Sequence, residues 1–214
     1  MNQRRLSPVL AIFFAASAPA FGAVSAGLIN DFEDGTLQGW TGGAAPTNIP
    51  SGGPAGAADN FLQIGGGTNF ATINMGPDFA GAFDPSLTSY QVDLMRPATD
   101  PDALDMRLVL FGPFTVNRWT STVAQSIPND GIWRTYLFST LEADLTQVQG
   151  SDSYSTLVAN VGGVMFRHDP DPPEPGGIPA SGTLGIDNIT AVPEPSLVAW
   201  LVLPALLFGS RRRR

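Results

Sequence analysis

The sequence predicts an all-β protein, a single β-sandwich of jelly-roll form, with a short apolar segment at each end of the chain. Three observations predict it. Short runs rich in aromatic and β-branched residues recur between turns made of Gly, Pro, Asn and Asp. Leu87 to Arg96 alternates, with Tyr90, Val92 and Leu94 on one face and Gln91 and Asp93 on the other, the period of a half-buried strand. Helical spacing is clear only over Leu141 to Gln149, through Leu141, Leu145 and Val148. Many short strands with almost no helix read as a sandwich, and the jelly roll is the expected form.

In chain order, Arg4 and Arg5 precede the mostly apolar stretch Leu6 to Ala18, and small residues follow. That is the layout of a cleavable signal peptide over residues 1–26. Val24-Ser25-Ala26 fits the small-x-small rule and places the cut after Ala26, with Ala20 and Ala23 as alternatives. The domain is expected over 27–191. Leu28-Ile29 and Phe32 read as its first strand, Asp34-Gly35 as a turn, and Trp40 as a buried anchor. Thr41 to Asn60 has little to bury and reads as loop. Phe61 to Ile64 and Phe70 to Ile73 are short strands joined through Gly65-Gly66-Gly67, which lacks the Lys-Ser/Thr of a phosphate loop. Strands are expected next at Leu87 to Arg96, Met106 to Phe111, Phe114 to Trp119 and Ile132 to Phe138. Leu141 to Gln149 reads as a short helix and Leu157 to Asn160 fits a helical turn. Strands at Val161 to Arg167 and Thr183 to Thr190 flank a proline-rich acidic loop, Asp169 to Gly177.

Composition removes several functions. The domain keeps five arginines against eighteen acidic residues, a net charge of −13, which repels nucleic acid and anionic membranes. It suits Ca²⁺ and neutral or cationic partners. There is no cysteine, so disulfides, thiolate catalysis and Cys-type zinc sites are excluded. His168 is the only histidine, so no multi-His metal site can form. No Gly-x-Ser-x-Gly elbow is present, and no local motif selects two of the carboxylates for glycosidic chemistry. The chain is therefore read as non-catalytic. Trp119, Trp133, Tyr136 and Tyr154 are candidates to stack on a sugar. Trp40 and Trp133 are expected in the core, and Trp119, beside Arg118 at a strand end, is the expected exposed ligand contact.

The end of the chain, residues 192–214, carries three pieces in order: Pro193-Glu194-Pro195, the apolar run Leu197 to Gly209, and Arg211, Arg212, Arg213 and Arg214. Thirteen residues of helix reach about 20 Å, short of the roughly 30 Å of a bilayer core. The arginines favour the cytoplasmic side. This stretch resembles the PEP-CTERM sorting signal. The resemblance implies a Gram-negative envelope with an exopolysaccharide matrix, an exosortase-type processing enzyme as partner, and a transient transmembrane helix in the inner membrane.

Two further resemblances concern the domain. Leu87-Thr-Ser-Tyr-Gln-Val-Asp-Leu, Met106-Arg-Leu-Val-Leu-Phe-Gly, Trp133-Arg-Thr-Tyr, Leu157-Val-Ala-Asn…Arg167 and Ile186-Asp-Asn-Ile189 are similar to the laminin IV type A (laminin B) domain, a galactose-binding-like jelly roll. Asp31-Phe-Glu-Asp-Gly35…Gly39-Trp40 resembles the start of carbohydrate-binding-module jelly rolls. The second resemblance implies a structural Ca²⁺ between first and last strands, with Asp31, Glu33 and Asp187 as ligands. The same residues also read as turn and strand-cap groups. The expectation is a non-catalytic, exported surface or biofilm-matrix protein that contacts polysaccharide. The alternatives are an adhesive matrix component with protein partners, and an extracellular carbohydrate-active enzyme.

Overall fold

The computed structural model describes residues 23–67 and 69–194. The expected signal segment up to residue 22, and Pro195 with the apolar run and Arg211 to Arg214, lie outside the described residues. No helix among the described residues is long and apolar enough to cross a membrane.

Fifteen strands form along the described chain: β1 (Ala23–Val24), β2 (Ile29–Asn30), β3 (Trp40–Thr41), β4 (Thr47–Ile49), β5 (Phe61–Gly67), β6 (Ala71–Asn74), β7 (Ala82–Phe83), β8 (Leu87–Met95), β9 (Leu104–Phe111), β10 (Arg118–Ser121), β11 (Gln125–Ile127), β12 (Arg134–Ser139), β13 (Leu145–Gln149), β14 (Gly163–His168) and β15 (Ala180–Pro193). One short helix, α1 (Tyr154–Ala159), precedes β14. Two antiparallel sheets pack face to face. One runs β13-β10-β9-β14-β6-β3, with β11 also on β9; the other runs β12-β8-β15-β5-β4, with β2 also on β15. The expected β-sandwich is the observed architecture.

The core lies where the alternation of each strand turns apolar residues inward. Tyr90, Val92 and Leu94 of β8 meet Leu108 and Leu110 of β9 and Phe166 of β14, all fully buried. Trp40 is buried as expected. Its ring packs on Phe79 at 5.1 Å and Phe166 at 5.7 Å, and its indole N–H donates to Asn30 Oδ1 at 2.8 Å.

Two local expectations are overturned. Leu141 to Gln149 is not a helix: a 3-10 turn at Glu142–Asp144 leads into β13. Leu145, Thr146, Gln147 and Gln149 pair with β10 as an edge strand, so tertiary pairing overrides the helical spacing. The helix sits instead at α1, where the Ser153 hydroxyl accepts from the Thr156 backbone N–H at 3.2 Å as an N-cap. Phe114 to Trp119 is not one strand either. Phe114 and Thr115 take φ of +60° and +59°, and strand pairing begins at Arg118.

The outer face of the β9-containing sheet is not open to solvent. Arg107 of β9 and Arg167 of β14 stand opposite each other on it and are fully buried beneath the loop 169–179. Arg107 donates to the Asp169 carbonyl (2.7 Å) and to the Ser121 and Thr122 carbonyls, and pairs with the Asp171 carboxylate. Arg167 donates to Asp169 Oδ2 (2.7 Å), to the Pro175 carbonyl (2.8 Å) and to the Glu174 carbonyl. This covering explains why Met106 to Phe111 reads as a nearly continuous buried run: β9 is packed on both faces.

Candidate functional site

With one sheet face covered by its own loop, the outer face of the β8-containing sheet is the one that side chains can offer to a ligand. Phe138 and Tyr136 of β12 face the core, so Thr135 and Leu137 face out. Trp133, two residues before Thr135, continues that outward row. It is half-buried rather than sealed in the core, so the expected core role for Trp133 is corrected. The reason is the period-2 alternation of β12, which begins at the next residue.

The Trp133 ring is held on three sides. Its indole N–H donates to the Gly52 carbonyl at 3.0 Å, and Phe61 meets it edge-on at 5.3 Å. Beneath it lies Gly185, where a Cβ would come within 2.7 Å of the ring, so only glycine lets the indole lie on the sheet here. A cleft of about 160 Å³ opens beside the ring, lined by Pro54, Asp93, Trp133, Arg134 and Thr135. Its polar groups are fixed. Asp93 accepts from the Thr135 hydroxyl and from Asn188 Nδ2 at 3.0 Å. Arg134 forms a two-point pair with Asp130 at 2.8 and 2.6 Å, which raises the guanidinium pKa. An aromatic ring, a carboxylate, a guanidinium and a hydroxyl thus converge on one small opening. The larger apolar groove between α1 and β7, about 370 Å³, lacks that convergence.

Asp187 of β15 stands opposite Asp93 and is 1% exposed. Burial pushes its carboxyl up to about 7. The Asn188 N–H works against that shift, and the negative charges of Asp59, Asp93 and Glu33 add to it. Glu33 and Asp187 therefore do come into one electrostatic neighbourhood. Asp31 instead accepts from Gln38 Nε2 and the Glu33 N–H, both at 3.3 Å, within its own loop, and Glu33 accepts from the Asn60 N–H at 2.8 Å. Among the described residues no three His, Asp or Glu side chains form a group able to hold a metal.

The expected ligand contact at Trp119 is also corrected. Trp119 pairs with Leu110, a core residue, and so faces inward, where its ring meets Tyr154 at 5.7 Å. Regular alternation along β10, in unbroken register with β9, turns the two neighbours to opposite faces. Arg118 faces out, donating from Nε to the Thr115 carbonyl (3.2 Å) and from Nη1 to the Pro175 carbonyl (2.7 Å). Of the two sorting-motif residues within the described chain, Pro193 ends β15 opposite Leu87, and the Glu194 N–H donates to the Ser86 carbonyl at 2.7 Å.

A scan of protein-family models gives no match to the chain, and a search of curated proteins gives none. Solved structures do resemble it. An exo-β-agarase matches over 80% of this chain and 25% of its own length, at 12% identity and a TM-score of 0.54. A family 11 carbohydrate-binding module from Clostridium thermocellum, in complex with a β-1,3-1,4-mixed-linked tetrasaccharide, matches over 79% and 97%, at 17% identity and 0.48. The module CBM27-1 of Caldicellulosiruptor saccharolyticus, in complex with mannohexaose, matches over 79% and 98%, at 13% and 0.44. The likeness is one of fold.

Proposed function

We propose that this protein is a non-catalytic, exported surface or matrix protein that binds polysaccharide at the Trp133 cleft. The observation that carries the reading is the cleft itself. A tryptophan face fits the C–H face of a sugar ring, and Asp93, Arg134 and Thr135 offer hydroxyl partners that are already oriented. Preorganised polar groups cost little ordering on binding. The surrounding acids favour a neutral or cationic sugar over a uronate or sulfated one. Asp93 and Asp187 together have the charge pattern of an acid–base pair, but Asp187 is sealed from solvent and cannot reach a glycosidic oxygen.

The test is affinity electrophoresis in gels containing mixed-linkage β-glucan, mannan or agarose, three neutral polysaccharides. The wild type is expected to be retarded by at least one of them. Trp133→Ala is expected to weaken that retention by about 30-fold, the effect of losing a central aromatic anchor. Retention unchanged in Trp133→Ala overturns the site.

In this reading the N-terminal segment is removed on export. The tail from Pro193 to Arg214 is read by an exosortase-type enzyme at the inner membrane of a Gram-negative envelope. Val24 is fully buried and β1 pairs with β7, which favours a cut after Ala20 or Ala23 over one after Ala26. Mass spectrometry of the mature protein from its host is expected to find an N-terminus at Phe21 or Val24 and a C-terminus upstream of Arg211. A mature chain that begins at Gly27 contradicts the first expectation, and one that retains Arg211 to Arg214 contradicts the second.

A further inference from the structure

The connection between β9 and β10 holds the most exposed large apolar side chain among the described residues: Phe114, 89% accessible, with Val116 at 60% two residues on. Phe114 and Thr115 are successive non-glycine residues in the left-handed region, at φ +60° and +59°. Bulky and β-branched side chains rarely adopt that conformation, because it strains the backbone. The loop is nonetheless fixed. The Gly112 N–H donates to the Asn117 carbonyl at 2.9 Å, and the Thr115 N–H to the Gly112 carbonyl at 3.1 Å. Gly162 backs the turn so closely that a Cβ there would lie 2.6 Å from the Gly112 carbonyl oxygen. The chain thus sustains strain to hold an apolar ring in water, which packing alone does not reward.

Arg118 lies against the same loop. Its Nε and Nη1 are committed to the Thr115 and Pro175 carbonyls, which locks the guanidinium plane, while Nη2 has no hydrogen-bond partner among the described residues. An exposed aromatic side chain carried by a hydrogen-bonded loop, with an unspent guanidinium donor on the same loop, matches a sugar ring, which presents C–H groups on its face and oxygen acceptors at its edge. We propose that Phe114 and Arg118 form a second saccharide contact, separate from the Trp133 cleft, so that one molecule holds two glycan segments. The inference rests on the polysaccharide-binding reading. The two contacts belong to different sheets: Phe114 lies in the β9–β10 connection of one, and Trp133 on the outer face of the other.

Retention in gels of mixed-linkage β-glucan, mannan and agarose, read for four proteins, tests it. Against the retaining polymer, Phe114→Ala and Trp133→Ala are each expected to lose part of the retention, about 10-fold or more, and the double variant to lose all of it. Phe114→Gly supplies a second readout. It relieves the left-handed strain and is expected to raise the melting temperature by about 2–4 °C while lowering retention as Phe114→Ala does. Retention of Phe114→Ala equal to wild type overturns the second contact and leaves the first standing. So does complete loss in Trp133→Ala alone. A wild type retarded by none of the three polymers overturns both sites together.

Discussion

Replacing Asp169 with alanine is expected to cost about 3–5 kcal/mol of stability, the loss typical when one partner of a buried ion pair is removed. Asp169 is 1% exposed, and its Oδ2 lies 2.7 Å from Arg167 Nη2 and 3.7 Å from Arg107 Nε. Both guanidiniums are fully buried and face each other across β9 and β14. Burial and the charges of Arg118 and Arg107 lower the Arg167 pKa, and Asp169 opposes the shift. Arginine stays charged through such perturbations. Without the carboxylate, two cations would remain in a dry site with too few acceptors. Asp171 also pairs with Arg107 but is 79% exposed, so Asp171→Ala is expected to cost no more than about 1 kcal/mol. Urea denaturation of the two variants checks the contrast. Equal, small losses would mean that the loop 169–179 does not seal the sheet.

Asp187→Asn is expected to stabilise the protein clearly more at pH 8 than at pH 5, and not at all below about pH 4. The native state raises this carboxyl from 3.8 to about 7, so between those values the folded chain binds a proton that the unfolded chain has released. Stability from this group is full below about pH 4 and falls as pH rises through 7. Each pKa unit corresponds to about 1.4 kcal/mol, so the gap is a penalty on the order of 3–4 kcal/mol by pH 8, which asparagine removes. Denaturation of both proteins at pH 5 and pH 8 isolates this group from the other acids. Calcium, expected from the resemblance at Asp31, Glu33 and Asp187, would reverse the sign: the wild type would melt higher with Ca²⁺ at pH 8, and Asp187→Asn would be the weaker protein. An Asp187→Asn variant less stable than wild type at pH 8 without added metal contradicts the electrostatic account.

The sandwich was legible because its long strands obey simple periods. The alternation of β8 and the apolar run of β9 set the two sheets, and Trp40 is large and apolar enough to read as a buried anchor. The same alternation in Trp133-Arg-Thr-Tyr-Leu-Phe138 could have placed Trp133 outside, since Tyr136 and Phe138 claim the inward row. Trp119 differs: its inward side is set by its register opposite Leu110 of β9, a long-range pairing that four residues of strand do not reveal. The burial of Arg107 and Arg167 beneath the loop 169–179, and the left-handed turn at Phe114, are likewise products of tertiary contact. No local pattern announces them.

The central claim is that sugar is bound on the outer face at Trp133. The most direct measurement is a ¹H–¹⁵N titration of the protein with the oligosaccharide of whichever polymer retains it, following the tryptophan indole N–H signals. The Trp133 signal, from the N–H bonded to Gly52, is expected to shift on saturation together with the amides of Asp93, Arg134 and Thr135, while the signal of buried Trp40 stays in place. Shifts that leave Trp133 and its neighbours untouched would contradict the assignment of this face.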